Sequence, residues 1–217
     1  MSPFVHALWP ATAAFPAVAG RVSGGTSSLT SNPPLDMTAL PRTPGNVMVL
    51  AFRSESATHT GPSGWTLVGS LVYTALNDRL SIWRKTVAAS EPAIPTFAQS
   101  GSDRCGWVCE EFSGAHGDVE AAFAEGIDPP SLSPAWGSAK TRWMTASSVA
   151  ASSNTLTAPA GFTNQTDGAS ASSTADTRVR VAVADRTNEA SSENPATWSE
   201  TGTTFFPLAA TIGVRPA

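Results

Sequence analysis

The stretch DRCGWVCEEF, residues 103–112, sets two thiols four residues apart and two carboxylates directly after the second. A thiol pair followed by an imidazole is a zinc pattern. Cys105, Cys109 and His116, with Glu111 or Asp118 as a fourth ligand, are therefore the first constellation to weigh. The run itself is strand-like, with Cys105, Trp107 and Cys109 on one face, whereas zinc thiolates sit on tight knuckles. In an extended chain the two thiols stand about 13 Å apart, far beyond disulfide reach. Both are read as reduced, buried, small hydrophobes, as in a protein assembled in a reducing cytoplasm, and no metal or other cofactor is expected.

Glu110 and Glu111 bring the residue type for glycoside hydrolysis, which needs two carboxyl groups converging on one site roughly 5–10 Å apart. Adjacent strand residues face opposite ways, so this pair does not converge. Asp118, Glu120, Glu125 and Asp128 lack the regular spacing of a calcium loop and read as a solvated connector. His6, His59 and His116 are the only imidazoles available as bases, G-x-S-x-G is missing, and Ser63 sits in a GPSG turn. No catalytic residue is assigned, and the chain is not read as an enzyme. Of the seven tryptophans, Trp65, Trp83, Trp107 and Trp198 fall at strand positions and read as core. Trp9, Trp136 and Trp143 lie outside the strongest strand pattern and are candidates for stacking on a glycan or for a protein interface.

The elements that must position these groups are written in the composition. Charged residues make up 14% of the 217, against about 25% in typical domains, and Gly and Pro number 17 each. Thr, Val and Trp suit pleated strands, while Gly, Pro, Asn and Ser supply turns, so the chain reads as all-β. The net charge of −4, without a Lys/Arg cluster, argues against a nucleic-acid partner. No apolar run reaches the roughly 20 residues of a membrane helix, and no membrane partner is expected. Residues 1–20 are apolar but lack a positive n-region, and Pro3, Pro10 and Pro16 interrupt them. They read as an extended arm rather than a signal peptide.

Two phrases recur. GPSGWTLVG (61–69) and APAGFTNQT (158–166) share a Pro-x-Gly-aromatic-Thr core, and SEP at 90–92 echoes SENP at 192–195. In this alignment Trp65 lies over Phe162, Leu80 and Ile82 over Val179 and Val181, and Phe97 over Trp198. GNVMVLAF (45–52) corresponds to TRWMTASSVA (141–150). RVRVAVA alternates cleanly, whereas NVMVLAF is apolar on both faces and must be covered on both sides. The predicted fold is a single antiparallel β-sandwich over 21–217, built from pseudo-repeats at about 45–115 and 141–217. The repeated phrases are equivalent corners in its two halves.

The phrases GPSGWTLV, DRLSIWRKTVAASEPAIPTF, WVCEEFSGA, APAGFT and PLAATIGVRPA resemble a widespread family of phage virion and bacterial surface modules. That family carries a P-x-G-W-T phrase, a Y/W-R/K-x-A-x-x-S-E-P phrase and a terminal A-A-x-x-V/A-L/V-R-P strand. The resemblance covers about residues 20–217. The Cys105–Cys109 segment departs from the family's Ala-rich version, and the arm has no counterpart in it. The resemblance implies a jelly-roll type of β-sandwich, a structural or adhesive role, and no catalytic residues. The expected function is that of a virion structural protein made in the cytoplasm of a bacterial host, most simply a head decoration, cement or turret protein. The alternative is a carbohydrate- or receptor-binding module of a phage tail appendage or bacterial surface protein. Expected partners are the major capsid or tail protein, further copies of the chain and, under the alternative, a glycan. Expected contact residues are Phe4, Leu8, Trp9 and Phe15 of the arm, with Trp136 and Trp143.

Overall fold

Strands dominate the described residues. The computed structural model describes residues 13–56, 58–73, 77–150, 154–170, 179–202 and 206–217, and these contain fourteen strands and no helix. The first half holds β1 (Ala17–Gly25), β2 (Val47–Ser54), β3 (His59–Thr60), β4 (Thr66–Tyr73), β5 (Asp78–Thr86), β6 (Ala98–Gln99) and β7 (Cys105–Ser113). The second holds β8 (Ala115–Glu125), β9 (Ala139–Ala150), β10 (Thr155–Thr157), β11 (Thr163–Ala169), β12 (Val179–Ala190), β13 (Ser199–Thr201) and β14 (Leu208–Pro216).

Each half makes one five-stranded antiparallel sheet, ordered β1-β7-β2-β5-β4 in the first and β8-β14-β9-β12-β11 in the second. The short strands pair as ribbons, β3 with β6 and β10 with β13. The two orders coincide element for element, so the likeness of the halves extends beyond the repeated phrases to β1 and β8, whose sequences share none. Two expectations change here. Asp118 and Glu120 belong to a strand, because Val119, Ala121 and Phe123 alternate with them and face the core, and Glu125 is the exposed last residue of the same strand. The expected arm gives up its last four residues, since β1 starts at Ala17 and pairs with β7 from Ser113 onward.

The repeated corners are superimposable in their details. Trp65 N donates to Pro62 O and Phe162 N to Pro159 O, both at 3.1 Å, with Gly64 and Gly161 at φ of +81° and +83°. That left-handed backbone is why both phrases keep glycine. A cation from the next strand stands over each corner: Lys85 Nζ and Arg186 NH1 lie 3.2 Å from where a glycine Cβ would sit. The second phrase supplies the anion. Glu91 pairs with Lys85 at 2.7 Å, and Glu193 accepts from Arg186 Nε at 2.9 Å. Corner, cation and Ser-Glu phrase are thus one clasp, written twice. The strand register corrects one equivalence. Thr66 faces Arg84 and Thr163 faces Asp185, so Leu80 and Ile82 match Val181 and Val183 rather than Val179 and Val181. The β11–β12 connection is longer than the β4–β5 connection, which moves the register.

Three apolar layers result. Val47, Val49, Ala51, Leu80, Ile82, Val108 and Phe112 meet Met144, Ala146, Val181, Val183, Leu208 and Ile212 between the sheets. Met48, Leu50, Phe52, Trp83, Trp107 and both cysteines form an outer layer on the first sheet, under Leu35, Met37 and Leu40. Trp143, Phe162, Trp198 and Leu132 do the same on the second. All eight residues of β2 are buried, as its two-faced apolar sequence requires. The edges of the sheets also meet, β1 against β11 and β4 against β8.

At the β1–β11 edge the backbones touch. A Cβ on Gly106 would lie 2.8 Å from Gly168 O, one on Gly168 would meet Gly24 O at 2.9 Å and Trp107 O closer still, and one on Gly25 would run into Ala169 O. The obstacles are carbonyl oxygens, which no rotamer change moves aside. Gly168→Ala is therefore expected to destabilise the fold by about 1–3 kcal/mol, the usual range for overpacking, read as a lower midpoint in denaturant. A midpoint equal to the wild type's would mean that the edge gives way without cost.

Candidate functional site

The groups with chemical potential gather at two places between and beside the sheets. Just after β2 the chain doubles back into β3 and brings His59 to Ser54, with Ser54 Oγ and His59 Nε2 at 2.8 Å. On the other side of the ring, His59 Nδ1 lies 2.8 Å from Ser81 Oγ, which also accepts from Trp83 Nε1 at 2.8 Å. The ring is wedged edge-on against Phe52 and Phe97, with centroids at 4.9 and 5.6 Å. A hydroxyl on an imidazole is the opening of a nucleophilic dyad, but the surroundings lead elsewhere. Ser54 is fully buried, and a serine hydroxyl stands where a dyad would place a carboxylate. Burial, then the charges of Arg79 and Arg53, push the His59 pKa down to about 3, where it is a poor general base. The arrangement brackets β2, β3 and β5 together. The sequence carries no signal for this contact, which depends on the reversal after β2.

The inter-sheet layer carries the second gathering. Arg53, fully buried on β2, pairs with Asp78 of β5 at 2.9 Å and donates across the sandwich to Ser148 O and Oγ of β9, both at 3.0 Å. Desolvation lowers the Arg53 pKa and raises that of Asp78, with their mutual attraction opposing both shifts. Further along, Arg21 of β1 donates through Nε to Glu110 of β7 at 3.0 Å and through NH2 to Asp185 of β12, which also accepts from Arg142 of β9. Two cations and two anions from four strands are closed into one group. Among the described residues, Glu110 Oε2 and Arg142 Nε are buried there with no hydrogen-bond partner. Burial, more than the Arg21 and Arg142 charges can offset, raises the Glu110 pKa to about 7.

Other singled-out residues are dispersed. Cys105 and Cys109 are free and buried in the outer layer of the first sheet. Burial pushes the Cys105 thiol up to about 12 and the Cys109 thiol well above its ordinary value. His116 lies on β8 beside Asp118, at 3.0 Å, where Asp118 also holds Arg215 at 2.7 Å, so the thiols and the imidazole are not brought together. Among the described residues no group of three or more His, Cys, Asp or Glu is placed to hold a metal. Glu111 points away from Glu110 and accepts from Arg42 N, Thr43 N and Asn46 Nδ2 at 2.7–2.8 Å, pinning the loop before β2. Glu120 accepts from Ala135 N, and Asp128 from Thr197 Oγ1.

Of the expected contact residues, Phe4, Leu8 and Trp9 lie outside the described residues. Phe15 is half-buried just ahead of β1. Trp136 is half-buried over Gly213, with its Nε1 donating to Thr141 Oγ1 at 3.1 Å. Trp143 is the correction: it is fully buried in the outer layer of the second sheet, donates to Asn188 O at 3.2 Å, and offers nothing to a partner. Its strand was legible, but not that the loops on the outer face cover it.

Two measurements probe this interior. A histidine whose folded pKa is depressed supports the fold above its unfolded value of 6.5 and withdraws that support as pH falls towards 3. Relative to His59→Gln, the wild type should lose about 1.4 kcal/mol per pH unit in that window, seen in denaturant titrations at stepped pH. Parallel curves for the two proteins would refute the assignment. Alkylation of the native protein at about pH 8 should modify neither cysteine, and after unfolding without reductant should modify both.

Compared with known proteins, the chain matches no family model, no curated protein and no solved structure.

Proposed function

We propose that this chain is a structural protein of a bacteriophage virion, a decoration protein held on the capsid surface. One observation carries the reading. The side chains with the chemistry for catalysis are locked inside the frame: Ser54, Asp78, Glu110 and Asp185 are each 1% exposed or less. A molecule organised in this way acts through its surface and the segment that leads into it. That segment joins at β1, an edge strand of the first sheet. Its residues 1–12 include Phe4, Val5, Leu8 and Trp9 and only one titratable side chain, His6.

Attachment on this reading is mechanical. Seating one Trp, one Phe and their aliphatic neighbours in a groove of the shell stabilises the contact at roughly 25 cal/mol per Å² of apolar area. Ordering the segment costs about 1–2 kcal/mol per fixed residue, so the shell must supply a preformed groove and backbone pairing as well. Copies of the chain then repeat over the shell with its symmetry.

The test is a deletion that spares the described fold. Removing residues 2–12 should leave thermal unfolding unchanged and abolish incorporation into particles, while immunogold labelling of wild-type virions marks heads. Incorporation of the truncated protein at wild-type occupancy, or label confined to tails, would overturn the proposal.

A further inference from the structure

We propose that Glu110 operates a pH-driven latch on β1: its ionisation favours a state in which β1 has parted from the sandwich edge and the carboxylate has reached water. This inference concerns the sandwich itself and does not depend on the virion reading. Its basis is geometric. Glu110 points between the sheets, fully buried, with one oxygen on Arg21 and the other without a partner among the described residues. Elements besides β7 stand around it with polar or charged groups or apolar cover. β1 presents Arg21, β12 presents Asp185, β9 presents Arg142 and β11 presents Asn164, which donates to Asp185 at 3.4 Å. β2, the other neighbour of β7, sets apolar Val49 opposite Glu110. The one cation bonded to Glu110 among the described residues is thus shared with Asp185, whose negative charge disfavours a second anion beside it.

The place where such a site yields is set by topology. β7 lies between two paired strands, and so do β12 and β9, whereas among the described residues β1 pairs on one side only. β1 reads AVAGRVSGG, with three glycines that weaken a strand, and its pairing is broken by a bulge between Val18 and Gly20, next to Arg21. The Arg21 side chain is 23% exposed, so water already stands at that edge. When β1 parts, Arg21 leaves with it, the Glu110 carboxyl releases one proton to solvent, and the carboxylate is hydrated.

The direction with pH follows. A carboxyl whose closed-state pKa is raised favours the closed state most fully below its ordinary value of 4.5, where both states hold the proton. That preference is lost as pH rises through the closed-state value of about 7, by about tenfold per pH unit between the two and levelling off above.

Hydrogen exchange on the full chain reads this directly, after correction for the pH dependence of intrinsic exchange. Between about pH 5 and pH 8 the protection of the β1 amides should fall by roughly a hundredfold. Protection in β9 and β14 should hold, and in Glu110→Gln the β1 amides should show no pH dependence. The wild-type series decides the matter even where the variant folds poorly. Constant protection in β1, an equal fall in both sheets, or a Glu110→Gln protein that follows the wild type would each overturn the latch.

Discussion

The contact on which the rest of this structure depends is the one without side chains. Packed sheets ordinarily stand about 10 Å apart, with side chains filling the gap. Where β1 and β7 meet β11, Gly25, Gly106 and Gly168 remove that filling, and backbone lies on backbone. A sandwich closed at one corner must widen away from it. The apolar layer of Val, Leu, Ile and Met fills the middle, and on the strands that form the corner it is interrupted by long polar side chains, Arg21 on β1 and Glu110 between Val108 and Phe112 on β7. Gly24 serves the same closure from the outer face, giving its space to the Trp107 ring.

The two halves share a strand order, yet their polar groups are not repeated. From the paired registers, Arg53 is the counterpart of Ser148, Arg84 of Asp185, Glu110 of Ile212 and Val47 of Arg142. The differences are complementary across the sandwich. Arg53 donates to its own counterpart, Ser148, and the carboxylates of Glu110 and Asp185 share cations drawn from both halves. In a sandwich of two first halves, Arg53 would face a second Arg53 in a dry layer, at a cost of several kcal/mol. The buried charges therefore set which half packs on which, and in what register, more than they add to stability.

What the sequence made legible is what repeats or alternates locally. The two Pro-x-Gly-aromatic corners, the two-faced apolar run of β2, the reduced cysteines and the core tryptophans at 65, 83, 107 and 198 depend on neighbours within a strand or a turn. β1 and β8 were not read as counterparts because each is held by its half's last strand, and nothing in AVAGRVSGG or AHGDVEAAFAE is shared. The ion group was illegible for a related reason. Arg21 and Asp185 are 164 residues apart, and only the sheet-on-sheet contact makes them neighbours. Ser54 and His59 are five apart, but their meeting turns on a reversal that carries no motif.

The interior also distributes its response to pH. His59 supports the fold least at low pH, and Glu110 opposes it at neutral pH and above, because burial lowers one pKa to about 3 and raises the other to about 7. Between 4.5 and 6.5 these two contributions change with opposite sign at about the same rate, 1.4 kcal/mol per pH unit, and offset one another. They do not cancel in place. His59 acts where β2, β3 and β5 meet, and Glu110 acts at the β1 edge. Acidification therefore weakens the first site as it tightens the second, so a change of pH in this window shifts support from one place in the fold to the other.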